Sequence, residues 1–272
     1  MKILIIDRDE LNSKMLSSKL EGLGHQVTLE TVKNNAIDHL SRESFDVVFI
    51  DPSPLTNARP LILNIRRTLG SYVYVVLVKG DDSSVEFEKS GANFVVAKPY
   101  DQEHVEKILG SAARVTNRIH QLGDDSTDFP SAGGVIAKSA FNQLFLSAID
   151  RADRYSENSY AVFIDVSNYL DMLEKDGPYY ADFAVAKMSQ HLAHIRRQSD
   201  IIGQTAKNEY ALLLQRPQYE TEPVEAANRF AEELSKLKSI KESVESDPEI
   251  QVKLIELPSG QMIVNHHITL HV

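Results

Sequence analysis

The 272-residue chain contains no cysteine, which excludes a disulfide framework and any thiolate metal site. No apolar run approaches the length of a bilayer crossing, and residues 1–7 read as a short strand entering the fold, not as a cleavable leader. Basic clusters are scarce: nothing exceeds the pair Arg196–Arg197, and the formal net charge is −10. A negative field of that kind repels phosphate backbones, so nucleic acid is not an expected partner. What remains is the composition of a soluble, cytoplasmic globular protein, with 42% hydrophobic and 25% charged residues and enough length for two cores.

Over the first hundred residues, strand and helix patterns alternate. Apolar runs at Lys2–Ile6, Val27–Leu29, Phe45–Ile50, Val73–Val78 and Phe94–Ala97 are separated by segments of helical spacing at 9–23, 32–42, 58–69 and 83–90, and a long helix follows from 101 to about 121. Five buried strands with helices between them predict a doubly wound parallel sheet of the flavodoxin-like class. In such sheets chemistry sits beyond the carboxyl ends of the strands, where Asp7, Asp51 and Lys98 all fall. Residues 122–134 are polar and rich in turn formers, and read as a linker between a first domain over 1–121 and a second over 135–272. The second half predicts an α+β domain with a mixed sheet, including a hairpin turning at 206–208.

The stretches KILIID, DVVFIDPSP and GANFVVAKPY stand in the order and spacing of response-regulator receiver domains, which residues 1–120 resemble. The resemblance implies that Asp51 is the phosphoacceptor, that acidic residues after the first strand hold Mg²⁺ with it, and that Lys98 neutralises the transferred phosphoryl group. Three positions depart from the pattern: Arg8 follows Asp7 where a second acid is expected, Lys79 stands where a hydroxyl residue is expected, and Val95 replaces the aromatic switch residue. A unit charge at about 4 Å is worth roughly 4 kcal/mol at an effective dielectric of 20, so Arg8 competes with Mg²⁺ instead of recruiting it. Two readings follow: a receiver still phosphorylated on Asp51 with Mg²⁺ on Asp7 and Asp51, or a docking fold in which Arg8 and Lys79 bridge to Asp51. Asp9 is either an unusual metal ligand or a helix N-cap.

From 134 onward, GVIAKSAF, FIDVSNYLDMLEKDGPYYADF and RQSDIIGQTAKNEYALLL resemble the diguanylate cyclase (GGDEF) domain. The resemblance implies two metal ions held by Asp165 and by a carboxylate in the hairpin, and a guanine pocket that includes Asp182. Here the hairpin reads Ala206-Lys207-Asn208-Glu209-Tyr210, so both glycines are lost and an amide replaces the ligand carboxylate. Leu173 stands in place of the base-binding asparagine, Pro130 lies near a missing aspartate, and the family's last helix has no counterpart after HITLHV. The expectation is a degenerate domain with no catalytic residues and no required cofactor. Arg197 and Asp200 match the family's RxxD site for cyclic di-GMP, with Arg196 beside them. On a helix end, i and i+3 share a side, so the guanidinium and carboxylate would together meet a guanine edge.

The chain therefore reads as a non-catalytic response regulator that binds cyclic di-GMP or docks onto protein partners. The alternative is a phosphorylation-controlled adaptor with no nucleotide ligand. Val105, Ile108, Leu109, Ala112, Val115, Ile119 and Leu122 suit a helix seam through which two copies would pair. Tyr179 and Tyr180 suit either stacking on a base or packing, and His266, His267 and His271 resemble a weak metal cluster.

Overall fold

The computed structural model describes residues 1–55, 57–69, 72–80, 90–129, 133–237 and 246–270. The predicted helix near 83–90 falls almost wholly outside these, as do Pro130 and His271. Two compact units are present: one comprises residues 1–119 with 151–156 and 258–260, the other 120–150, 157–257 and 261–272.

The first unit runs β1 (Lys2–Ile6), α1 (Glu10–Gly22), β2 (Gln26–Glu30), α2 (Lys33–Arg42), β3 (Val47–Ile50), α3 (Arg59–Leu69), β4 (Tyr74–Lys79), β5 (Phe94–Ala97) and α4 (Gln102–Gly123). Its five strands lie in the order β2-β1-β3-β4-β5, and every ladder is parallel. Apolar runs with no alternation are what a sheet covered on both faces requires. Leu4, Ile6, Val48, Ile50, Val75 and Leu77 pack with Ala36, Leu40, Ile62 and Ile65 of α2 and α3, while the intervening Ile3, Ile5, Phe49 and Val76 are equally buried. Asp9 caps α1 by accepting from the amides of Leu11 and Asn12, and Gly24 ends that segment at φ +83°, a conformation costly to any residue with a Cβ.

In the second unit follow α5 (Lys138–Tyr155), β6 (Ser159–Val166), α6 (Tyr169–Lys175), α7 (Pro178–Ile195), β7 (Ile201–Ala206), β8 (Glu209–Gln215), α8 (Glu222–Ser235), β9 (Glu249–Leu257) and β10 (Met262–Thr269). Strand order is β10-β9-β6-β8-β7. The mixed sheet expected from sequence is corrected here: all four ladders are antiparallel, and parallel pairing is confined to the isolated bridge Ile136–Gly203. Two hairpins, β7–β8 and β9–β10, flank β6, which runs opposite to both of its neighbours. One sheet face packs Val162, Ile164, Leu212, Val252 and Leu254 against Met172, Met188, Leu192 and Phe230.

The predicted linker is more tightly held than its composition implies. The buried Lys138 ammonium donates to the carbonyls of Asp124 (2.5 Å) and Thr127 (3.0 Å), and Asp128 accepts from the Ser139 hydroxyl at 2.7 Å. The apolar stripe of α4 is also spent internally. Val105, Ile108, Leu109, Ala112, Val115 and Leu122 are buried in the single chain, so the seam expected to pair two copies is not exposed to a second one. Among the described residues no helix is long and apolar enough to cross a membrane.

Close packing in the second unit requires glycine at 203, because a Cβ there would lie 2.7 Å from the buried Phe141 side chain. We predict that Gly203→Ala lowers unfolding stability by about 1–3 kcal/mol, as overpacked cores do. Adding Phe141→Leu should recover part of that loss in urea titrations.

Candidate functional site

Parallel pairing of β1 with β3 aligns Ile6 with Ile50, so the next residues, Asp7 and Asp51, emerge side by side at the carboxyl edge. Lys98 follows the end of β5 and reaches both carboxylates: its Nζ lies 2.6 Å from Asp7 Oδ2 and 2.8 Å from Asp51 Oδ2. Asp7 and Asp51 are 3% and 8% exposed, so this ammonium is their shield from an otherwise costly burial. Burial pushes the Asp51 carboxyl up, but the Lys98 ammonium and the hydroxyl and amide of Ser53 outweigh it and hold Asp51 below its ordinary value. Burial also works against the Lys98 charge, yet the two carboxylates win and raise it.

The structure corrects the expected bridge to Asp51. Arg8 is exposed and pairs with no described residue, because the alternation that turns Asp7 inward turns its neighbour out. Lys79 is likewise exposed at the end of β4, and the ion pair of Asp51 runs to Lys98. Asp9 is the N-cap of α1, its Oδ1 taking the Leu11 and Asn12 amides at 3.1 and 3.2 Å, which commits that carboxylate to the helix. The Asn12 amide and side chain lower its pKa. Val95 is exposed.

Two further residues at this pocket carried no signal by themselves in the sequence. Lys33, the first residue of α2, donates from Nζ to the carbonyl oxygens of Pro52 and Ser53, each at 2.5 Å. Burial and then the Arg8 charge push its pKa down, against the pull of Asp51 and Asp7. The Tyr100 hydroxyl is buried with no hydrogen-bond partner among the described residues; burial, then Asp7 and Asp51, push its pKa up. Tyr100 stands in the GANFVVAKPY stretch, whereas Lys33 became visible only through the packing of α2 beside β3.

In the second unit, Asp165 near the end of β6 pairs in register with Glu209 of β8 on one side and Gln251 of β9 on the other. Lys253 lies two residues along β9 on the same face and places Nζ 3.3 Å from Asp165 Oδ1. Asn208, at the hairpin, donates from its side-chain amide to the Val166 carbonyl at 2.9 Å. Glu209 is buried and accepts from the Thr205 hydroxyl at 2.7 Å. Lys207 reaches across to Asp182 at 2.8 Å, beside a 2.6 Å hydrogen bond from the Tyr169 hydroxyl to the same oxygen. Its ammonium also sits 5.3 Å from the Tyr169 ring centroid. Lys207 and Tyr169 lower the Asp182 pKa, in that order, although the carboxylate is solvent-exposed. Leu173 packs against the core. A divalent ion does not fit this donor set: Lys253 faces Asp165, and the hairpin offers a bonded amide where a carboxylate would be needed. Among the described residues no group of three potential metal-ligating side chains assembles anywhere.

At the third location, α7 ends at Ile195 and Arg196 is already extended, so Arg197 and Asp200 lie on a turn and not on a helix side. The Asp200 carboxylate is 8% exposed and takes the Arg197 backbone N–H at 2.8 Å and the Arg229 guanidinium, from α8, at 3.0 Å. Arg196 donates to the Asp200 carbonyl at 3.3 Å. Arg197's own guanidinium is exposed and has no partner among the described residues. An open cleft of about 220 Å³ adjoins it, lined by Arg197, Asp200, Leu213, Gln215, Pro223 and Arg229. Arg229 was not legible from the sequence, because nothing in α8 marks it before the helix is packed against the turn. Elsewhere, His266 and His267 point to opposite faces of β10, one toward Asn228 and the other toward Gln251, and do not converge. Tyr180 is core, whereas Tyr179 is 81% exposed and stacks on Phe183.

The signs of the Asp51 and Lys98 shifts define a window. Stability from a lowered carboxyl is present above the ordinary carboxylate range and is lost as acid titrates it; that from a raised ammonium is lost only at strongly alkaline pH. We predict that Lys98→Met costs the first unit about 3–5 kcal/mol at neutral pH, since it strands two buried carboxylates. Urea unfolding should show that penalty shrinking in acid, or when Asp51→Asn is added.

Residues 131–258 match the family described as "Diguanylate cyclase, GGDEF domain". No curated protein matches the chain. Solved structures similar to the N-terminal part include the receiver domain of a sensor histidine kinase from Pseudomonas aeruginosa PAO1, crystallised with a magnesium ion in its active-site cleft. That domain shares 20% identity over 43% of this chain and 97% of its own, with a TM-score of 0.36. A CheY-like receiver from Methylobacillus flagellatus shares 26% identity over 41% of this chain and 98% of its own, with a TM-score of 0.38. The N-terminal domain of a response regulator/sensory box/GGDEF protein from Carboxydothermus hydrogenoformans shares 20% over 43% and 97%, with a TM-score of 0.39. The family match thus covers most of the second unit, and the parallel order β2-β1-β3-β4-β5 of the first unit resembles a receiver fold.

Proposed function

We propose that this chain is a cytoplasmic signalling regulator whose GGDEF domain binds cyclic di-GMP and does not synthesise it. The observation that carries the proposal is the unpartnered Arg197 guanidinium beside a carboxylate held in place by Arg229. A planar guanidinium donates to the O6/N7 edge of guanine, and an ionised carboxylate accepts from the N1 and N2 donors on the opposite edge. Arg229 orients the Asp200 carboxylate, and Arg196 anchors the turn through the Asp200 carbonyl. A cleft of about 220 Å³ takes a single base, so the second guanine of the dinucleotide would lie outside it.

Three contacts oppose synthesis. Lys253 neutralises Asp165, the Asn208 amide is tied to Val166, and Lys207 closes on Asp182 where a substrate base would bind. Calorimetry with cyclic di-GMP should give heat of binding that Arg197→Ala and Arg229→Ala each abolish, with GTP left unconsumed by the wild type. Binding unaffected by Arg197→Ala would defeat the receptor reading; GTP turnover would defeat the non-catalytic one. Asn208→Asp alone should restore no cyclase activity, because Lys253 and Lys207 stay in place.

A second reading is favoured by the pairing of Asp51 with Lys98 at the strand ends. Here Asp51 is a phosphoacceptor that controls docking to a protein partner. Its carboxylate oxygen would attack the phosphorus of an acyl phosphate, forming an O–P bond as the donor's O–P bond breaks and a carboxylate leaves, with no net proton transfer. If Mg²⁺ takes part, Asp7 and Asp51 would hold it.

A further inference from the structure

The pocket around Asp51 presents the oxygen types that a hard divalent cation takes: two carboxylates, Asp7 and Asp51, and the backbone carbonyls of Pro52 and Ser53 directly after Asp51. Ammonium groups of the chain engage both kinds. Lys98 sits on the carboxylates at 2.6 and 2.8 Å, and Lys33 on both carbonyls at 2.5 Å. Arg8 stands exposed close enough for its charge to act on Lys33. A metal entering here would have to displace one ammonium while facing the others, so the arrangement does not fit a resident divalent ion.

We infer that Lys33 is the built-in second cation of the Asp51 pocket, allowing a phosphoryl-type group to be held on Asp51 without a divalent metal. The inference rests on the second reading above, in which Asp51 is the acceptor. Lys98 is committed to the two carboxylates, so it neutralises charge already present in the pocket. Lys33 adds positive charge from α2 and is held at the 52–53 backbone by two neutral carbonyls, which leaves its charge uncompensated by hydrogen bonding. An incoming group rich in anionic oxygens would draw on that charge and on Arg8. Lys33 is thus a positioning and charge-supplying residue, distinct from the acceptor itself.

Beryllofluoride is the probe: an Asp51 oxygen donates a lone pair to beryllium and displaces a bound water, with no redox change. Binding would be followed on the full chain by fluorine NMR, in EDTA and then in excess Mg²⁺, with Asp51→Asn to assign the signal. Wild type is expected to bind equally in both. Lys33→Met and Lys33→Gln, the latter keeping donors for the carbonyls without the charge, should each bind at least about tenfold more weakly in EDTA, the loss of one charge-assisted contact. Mg²⁺ should then restore their binding. Wild-type binding only in Mg²⁺, or binding by both variants unchanged in EDTA, would overturn the inference while leaving Asp51 an acceptor. No binding under either condition, with thermal unfolding showing an intact fold, would overturn both.

Discussion

A carboxylate buried at the end of a strand needs compensation, and at Asp7, Asp51, Asp165 and Asp200 lysine and arginine side chains of the protein itself supply it. Lys98 bridges Asp7 and Asp51, Lys253 faces Asp165, and Arg229 holds Asp200. Each pairing arises because the sheet brings an acid to its edge and a neighbouring strand or helix delivers the base. An uncompensated buried charge costs several kcal/mol, so these contacts are conditions of the fold before they are features of a site. They also decide what else the edges can accept, since an oxygen already bound to an ammonium is a poorer ligand for an external ion.

The two units resolve that constraint differently. In the first unit, Lys98 is shared between two carboxylates, and Lys33 brings a further charge to the backbone carbonyls beside them. In the second unit the pairing is closer to one to one. Lys253 pairs with Asp165, and Lys207 with Asp182 beside Tyr169. Around Arg197 a guanidinium stays unpaired among the described residues, beside a carboxylate already oriented by a second arginine.

Much of this was readable from order and spacing. Apolar runs without alternation imply a parallel sheet buried on both faces, and that topology alone sends Asp7, Asp51 and Lys98 to one edge. The amide at Asn208 and the lysine at Lys207 were equally legible, because a turn position exposes whatever residue it carries. Arg8 was misread as a bridge to Asp51: its charge is plain in the sequence, but its direction depends on the strand's alternation, which turns it to solvent. The seam proposed for α4 failed for a related reason. A helix stripe shows that a face is apolar, not what covers it, and the chain covers this one itself.

By itself the sequence determined the strand-and-helix order, the division of chemistry between two units, and which acids lie at strand ends, because periodicity and chain direction are local properties. Only the tertiary structure decided which base meets which acid. Lys33 with the 52–53 carbonyls, Lys253 with Asp165 and Arg229 with Asp200 each join residues from separate elements, and their meeting depends on sheet register and helix packing. The same holds for the second sheet, whose antiparallel pairing follows from β6 lying between two hairpins. Charge is written along the chain, but its compensation is a matter of distance, and distance is set by the fold.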